Sequence, residues 1–443
     1  RDLEPPLVER FRYPAGADPY LDVPDLLGRR PDALRDAVLL RSGNRVVAVD
    51  ARNGRVLYRA DFGQQELRGP LVFSGSRVFA LTRFESRHSI HVHDAATGKR
   101  LAKVPVMEQG EGRRLLEHNG QVSLLYQSGP GDGQPVVAAL HSEDGTPLWR
   151  CPLPREGPGE SLEDRFSCAS GERLVFFTEN PVRVLVVNTT SGLVENAIPV
   201  QDGKNATITH GPRLLPDGRI VLALSTSERT SRVHWEYSYE IHLVDPARRG
   251  ASAVVWTYAR PAQGANRVLA VMNVIGEHVV ALDETRSAVV LDLRNGDPGR
   301  TPAQLRLGGG LDDRPKLSSD QPAHDALLLL TTRAVPGESS LPAHLAAFDV
   351  PELRLHYPPV PLASSVSELV NVLESQGVLG VTVTPGDRQR AQGRILLLDP
   401  LTGQQLDRID PPDDGAGWFT AAVQNGILVV ITGGNVAYGY GPK

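Results

Sequence analysis

The stretch Val46-Val47-Ala48-Val49-Asp50-Ala51-Arg52-Asn53-Gly54 decides how the rest of the chain is read. Four apolar residues end at an Asp, and a Gly follows four positions later. An Asp or Asn side chain can accept hydrogen bonds from the backbone of its own turn, while Gly adopts the positive φ that returns the chain into a second strand. The stretch therefore predicts a tight hairpin between two short strands. The pattern recurs at residues 90–94 with Gly98, 184–188 with Gly192, 289–292 with Gly296 and 395–399 with Gly403. Weaker copies surround His141, which precedes Gly145, Asp245, which precedes Gly250 with one inserted residue, and Asp349, which has no Gly. Successive residues in the Asp position are 44, 47, 47, 57, 47, 57 and 50 apart. That period accommodates four short strands and their turns, the size of a propeller blade.

Upstream of most copies lie two further strand-like runs, such as residues 70–74 and 77–82 before the second copy. Each unit is thus expected to be a four-stranded antiparallel sheet whose two outer strands form the motif hairpin. Helical periodicity is scarce, as expected of blades that bury both faces against their neighbours. The expected fold is an all-β propeller. Residues 419–423, 427–432 and 435–440 read as three strands without a fourth, and residues 7–13 as a lone outer strand that completes them. The boundaries that follow are 1–36 for an N-terminal closing arm and linker, 37–416 for the repeats and 417–443 for the closing strands of the same propeller. Eight motif-bearing units plus the composite one would make nine blades, above the usual four to eight. We therefore expect eight, with the short unit at residues 37–60 incomplete or merged with the closure. Removal of residues 1–6 is expected to matter little.

The chain has 443 residues with 43 glycines and 35 prolines beside 40% hydrophobic residues, a mixture suited to many turns around short strands. Its net charge of −5 supplies no general attraction for nucleic acid or an anionic membrane. Arg83, Arg87, Arg113 and Arg114 are too few and too little interleaved with aromatics for a nucleic-acid groove. No apolar run exceeds five residues, against about 18 for a membrane helix, so no membrane insertion is expected. The sequence starts at Arg1, and a leader removed or not recorded is compatible with export. Cys151 and Cys168 allow one disulfide or two buried free thiols.

The strings Val-Ala-Val-Asp-Ala-Arg-Asn-Gly-Arg-Val-Leu-Tyr (47–58), His-Asp-Ala-Ala-Thr-Gly-Lys-Arg-Leu (93–101) and Leu-Asp-Pro-Leu-Thr-Gly-Gln-Gln-Leu (398–406) resemble pyrroloquinoline-quinone-like β-propeller repeats. The resemblance covers nearly the whole chain. It implies either a quinoprotein dehydrogenase, which binds the quinone and calcium, or a non-catalytic propeller such as the lipoprotein of the bacterial outer-membrane assembly machinery. The family's repeats place a Trp a few residues after the motif Gly. Trp149 and Trp256 occupy that place here, with Tyr58 and Tyr357 as possible substitutes. The dehydrogenases' vicinal cysteine pair has no counterpart in Cys151 and Cys168, 17 residues apart. The resemblance thus implies a non-catalytic member without a cofactor, in a periplasmic or otherwise extracytoplasmic setting in bacteria.

Candidate chemistry is sparse. His88, His91 and His93 with Asp94 are the densest possible metal ligands, and His91 and His93 share a strand face at i and i+2. With no third ligand identifiable, they are read as an exposed strand face beside the turn Asp. Asp410, Asp413 and Asp414 lack the alternating oxygen ligands of a calcium loop. Gly129, Gly131 and Gly133 lie between strand-like runs and lack the strand-to-helix setting of a dinucleotide turn, and Gly308 to Gly310 with Asp312 and Asp313 lack a phosphate-loop Lys-Ser or Lys-Thr. Asn188 and Asn205 open formal glycosylation sequons. We expect no catalytic and no metal residues, and can assign no cofactor-binding residue. The expected function is a non-enzymatic scaffold for protein-protein interaction, with a quinoprotein-like oxidoreductase or small-ligand binder using the central channel as the alternative.

Overall fold

The computed structural model describes residues 3–443 apart from 15–20, 25, 28, 107–110, 129–132, 157–159, 202–205, 230–234, 261–268, 284–286, 299–302, 305–315, 318–325, 333–342, 363–367, 376–377, 386–392 and 413–418. Gly129, Gly131, Asn205, Gly308 to Gly310, Asp312, Asp313, Asp413 and Asp414 lie outside the described residues.

The motif hairpins fold as their chemistry dictates. Gly54, Gly98, Gly145, Gly192, Gly296 and Gly403 all have φ between 68° and 73°. Each donates its N–H to the carbonyl of the residue four positions earlier, as in Gly54 to Asp50 at 2.8 Å and Gly192 to Asn188 at 2.9 Å. The Asp50 carboxylate accepts from Arg52 N at 2.8 Å, and Asn188 Oδ1 accepts from Thr190 N at 3.0 Å. The copy without Gly keeps the same turn, with Leu353 at φ 55° donating to Asp349 O at 2.8 Å.

Around these hairpins the described residues form nine sheets. The third is representative: Glu111–His118, Gln121–Ser128, Gln134–Leu140 and Pro147–Pro152 pair antiparallel in chain order. The first strands of neighbouring units contact one another, which sets them on the inside and the last strands on the outer rim. The only described helices are two 3-10 turns, at Asp32–Leu34 and Gly250–Ala253.

The unit at residues 37–60 is neither incomplete nor merged with the closure. Its strands Ala37–Ser42, Arg45–Asp50 and Val56–Asp61 form a separate sheet, and the fourth strand is Leu21–Asp22, reached across the arm. Nine sheets thus stand where eight were expected. Only two residues in this fourth strand pair, Leu21 with Ser42 and Asp22 with Arg41, too few to show as a periodic signal. Leu26–Leu27 adds to the second sheet, parallel to Glu66–Ser74. The last sheet combines Phe419–Gln424, Ile427–Thr432 and Val436–Pro442 with Leu7–Pro14, whose residues pair antiparallel along Val436–Pro442 from Leu7 opposite Pro442 to Pro14 opposite Val436.

Nine apolar clusters are packed between these sheets, one at each successive junction. The ninth junction joins the last sheet to the first, with Phe11, Ile427 and Val429 packed against Val38, Leu40 and Val47. An open row of nine sheets would have only eight such junctions. Aromatic residues on outer strands reinforce several of them by lying on the next unit's motif glycine. A Cβ built on Gly98 would come within 2.5 Å of Tyr58, and one on Gly192 within 2.6 Å of Trp149. Gly296 faces Trp256, Gly403 faces Tyr357 and Gly54 faces Phe11 in the same manner. Trp149 and Trp256 also donate their indole N–H to Thr189 O at 2.9 Å and Leu293 O at 3.0 Å. Tyr58 and Tyr357 are therefore docking substitutes for Trp, and Phe11 is a third, supplied to the first sheet by the N-terminal strand of the last sheet.

Candidate interaction surface

The histidines that spacing placed on one face do lie together, but inside the protein. His88, His91 and His93 on Arg87–Asp94 are buried, contrary to an exposed strand face, because the strand is an interior one of its five-stranded sheet and neighbouring sheets cover both its sides. The His91 and His93 rings stack with centroids 6.1 Å apart, and Phe62 meets each edge-on. His91 Nε2 pairs with Gln65 Oε1 at 2.7 Å, to which Thr82 Oγ1 donates at 2.6 Å. His93 Nδ1 pairs with Gly98 O at 3.0 Å. Burial, reinforced by the neighbouring His93, pushes the His91 imidazole down to about 3, and burial also lowers His93. His91 and His93 are neutral, packed side chains that tie the first two sheets together. Among the described residues no group of three or more His, Cys, Asp or Glu is placed to hold a metal ion.

The two thiols are free. Cys151 packs between the third and fourth sheets, and Cys168 between the fourth and fifth, so the fourth sheet separates them. Burial raises both, Cys168 to about 12, which keeps them protonated and unreactive at neutral pH. They do not supply the vicinal pair of a quinoprotein dehydrogenase. The most buried ion pair, Arg183 with Glu160, is structural as well. Arg183 Nε donates to Glu160 at 2.8 Å, while its other nitrogens reach Glu156 and Pro154 O, pinning the segment that leads into the fourth sheet. Asp410 accepts from Arg408 at 2.8 Å. Asn188 is committed to its turn and to Glu195 at 2.8 Å.

The outer rim of the first three sheets carries exposed apolar side chains in a repeating position. Side chains on an outer strand alternate, one set packing on the next sheet and the other facing outward. Tyr58 belongs to the inner set, and Leu57 and Arg59 to the outer one. Leu57, Leu101 and Leu148 stand at the same repeat position, three residues after Gly54, Gly98 and Gly145, and are 37%, 43% and 56% exposed. Two residues further on in each copy stands an exposed cation: Arg59, Lys103 or Arg150. The repeat itself carried this signal, but exposure cannot be read from spacing alone. Of the basic residues singled out from sequence, Arg113 is held by Gln127 and Arg83 donates to Glu85 O at 2.8 Å.

A family model described as outer membrane protein assembly factor BamB matches residues 42–243. None of the curated proteins compared matches the chain. Among solved structures, BamB from Moraxella catarrhalis is 14% identical, covering 67% of this chain and 79% of its own, with a TM-score of 0.40. Quinohemoprotein alcohol dehydrogenase from Comamonas testosteroni is 12% identical, covering 99% and 77%, with a TM-score of 0.46. A eukaryotic initiation factor is 11% identical, covering 88% and 90%, with a TM-score of 0.50. At 11% identity the likeness to the initiation factor concerns the fold alone.

Proposed function

From a chain that belongs to the pyrroloquinoline-quinone-like β-propeller repeat family, we propose a non-enzymatic scaffold that presents its surface to protein partners within an extracytoplasmic assembly. The observation that carries this reading is the exposed apolar row on a rigid support. Leu57, Leu101 and Leu148 recur on three consecutive rims, while the sheets beneath them are locked by continuous apolar junctions. Isolated exposed leucines are ordinary, but a row in register along a rigid support is the arrangement a binding surface needs. The family model described as an assembly factor of the outer membrane supports the extracytoplasmic setting.

Gentle purification from the native source, with identification of co-purifying proteins and native mass spectrometry, tests the proposal. A reproducible complex of defined stoichiometry is the expected result; a bare monomer throughout would remove the scaffold reading. Titration with pyrroloquinoline quinone and calcium tests the opposite view, and stoichiometric binding with dye-linked oxidation of an alcohol would replace the scaffold by an oxidoreductase.

A further inference from the structure

We propose that the rim of the first three sheets binds an acidic, leucine-bearing segment of a partner protein, held by the Leu57, Leu101 and Leu148 row and the parallel row of Arg59, Lys103 and Arg150. The inference rests on the scaffold reading and specifies where on the ring a partner sits and what chemistry it carries.

Charge is the first argument. Arg59, Lys103 and Arg150 are exposed, and none of the three has a carboxylate partner among the described residues. Nearby Arg55, Lys99 and Arg100 are exposed as well and have no carboxylate partner among the described residues. Beyond this arc arginines meet carboxylates: Arg173 with Glu195 at 2.7 Å, and Arg219 with Asp217 at 2.7 Å. A protein with a net charge of −5 thus keeps uncompensated cations together on one arc of its perimeter. Such an arc attracts and orients an acidic partner, while the interleaved leucines supply the apolar contact that charge alone does not.

The second argument is that the pattern stops. In the fourth sheet the leucine position is Glu195, bonded to Arg173, and the cation position is Ala197. In the eighth sheet Leu406 and Arg408 recur, but Arg408 is occupied by Asp410. The free combination is therefore confined to three consecutive sheets, the extent of one continuous site.

Shape favours a polypeptide over a bilayer. With nine sheets around a ring, neighbouring rims differ in direction by about 40°, so a flat surface tangent to one rim leaves the next two. A chain segment can bend round the arc and meet all three. The outer strands Arg100–Pro105 and Pro147–Pro152 carry prolines and charges that discourage strand addition, which leaves recognition to side chains.

The probe is a fluorescein-labelled peptide of repeating Glu-Leu-Asp-Ser, compared with the same peptide carrying Lys at every acidic position. Saturable binding of the acidic peptide alone is expected, weakening with added salt. It should weaken at least about tenfold both in R59E/K103E/R150E and in L57S/L101S/L148S, with melting temperatures and monomer size unchanged because all six side chains are exposed. Equal binding of both peptides, or undiminished binding to either triple variant, would overturn the proposal. So would loss, in those variants, of binding to phosphatidylglycerol-containing vesicles when the peptide itself does not bind, which would assign the rim to a membrane. Native purification separates this from the broader reading. A partner that co-purifies with wild type and equally with the charge-reversed variant leaves the scaffold intact and refutes the rim. If wild type retains no partner, the scaffold reading fails, while the peptide titration still decides what the rim binds.

Discussion

His91 shows how burial turns a titratable residue into a pH-dependent strut. Its side chain is fully buried, and desolvation, with the neighbouring His93 next in size, lowers its proton affinity to about 3. In the unfolded chain the same imidazole takes up a proton near pH 6.5. Between about 6.5 and about 3 the unfolded state therefore holds a proton that the folded state lacks. The stability owed to neutral His91 is complete above that range and declines as the pH falls through it, by up to ~1.4 kcal/mol per pH unit for one such group. Urea unfolding at pH 7, 6 and 5 should show this decline, and His91→Gln should flatten it. An identical pH dependence in the variant would show that His91 is not the group responsible. The i, i+2 spacing of His91 and His93 told correctly that they share a face. It could not tell that the face is covered, because exposure depends on the neighbouring sheet, which lies outside any local window.

At the scale of elements, the motif hairpins were legible because each is built within one short stretch, from an acceptor side chain and a glycine at fixed separation. The seam between the two ends of the chain was not. The strand Leu21–Asp22 covers only the Arg41–Ser42 end of Ala37–Ser42, leaving the backbone of Leu39 without a strand partner on that side. Gln424, 385 residues away, supplies the missing bonds: its Oε1 accepts from Leu39 N at 3.0 Å and its Nε2 donates to Leu39 O at 3.2 Å. Asn425 continues the clamp by donating to Arg35 O at 2.8 Å and Ala37 O at 3.0 Å. Gln424→Ala leaves the buried Leu39 N–H and C=O unpaired and should cost about 1–3 kcal/mol per abandoned group. Denaturant unfolding measures the loss, and hydrogen exchange should show faster exchange at the Leu39 amide. Unchanged protection of that amide would mean that the clamp does not hold the seam.

For the whole molecule, the decisive question is whether the two ends act as one structural unit. Leu7–Pro14 pairs along Val436–Pro442, the combined sheet packs on the first sheet through Phe11 and Ile427, and it packs on the eighth through Phe419 and Leu428. Leu3 and Pro6 also take part. Leu3 is 2% exposed within the junction of the eighth and last sheets, and Pro6 O accepts from Lys443 N at 3.3 Å, so their removal is expected to destabilise, where the sequence alone suggested little effect. That contact escaped reading because a single buried leucine has no periodicity. Deleting residues 418–443 removes three strands, opens both flanking sheets and strips the partner from Leu7–Pro14. Each large apolar side chain exposed costs ~1.5–3 kcal/mol, and several together rival the ~5–15 kcal/mol net stability of a folded protein. Uncovered edges and sheet faces also invite association. The deletion should therefore aggregate or lose its cooperative transition. Removal of residues 1–6 should lower the melting temperature while leaving a monomer, with Leu3→Ala reproducing most of the loss. Light scattering and calorimetry on the three variants read out both effects. A C-terminal deletion that remained monomeric with an unchanged melting temperature would mean that the two ends do not complete the ring.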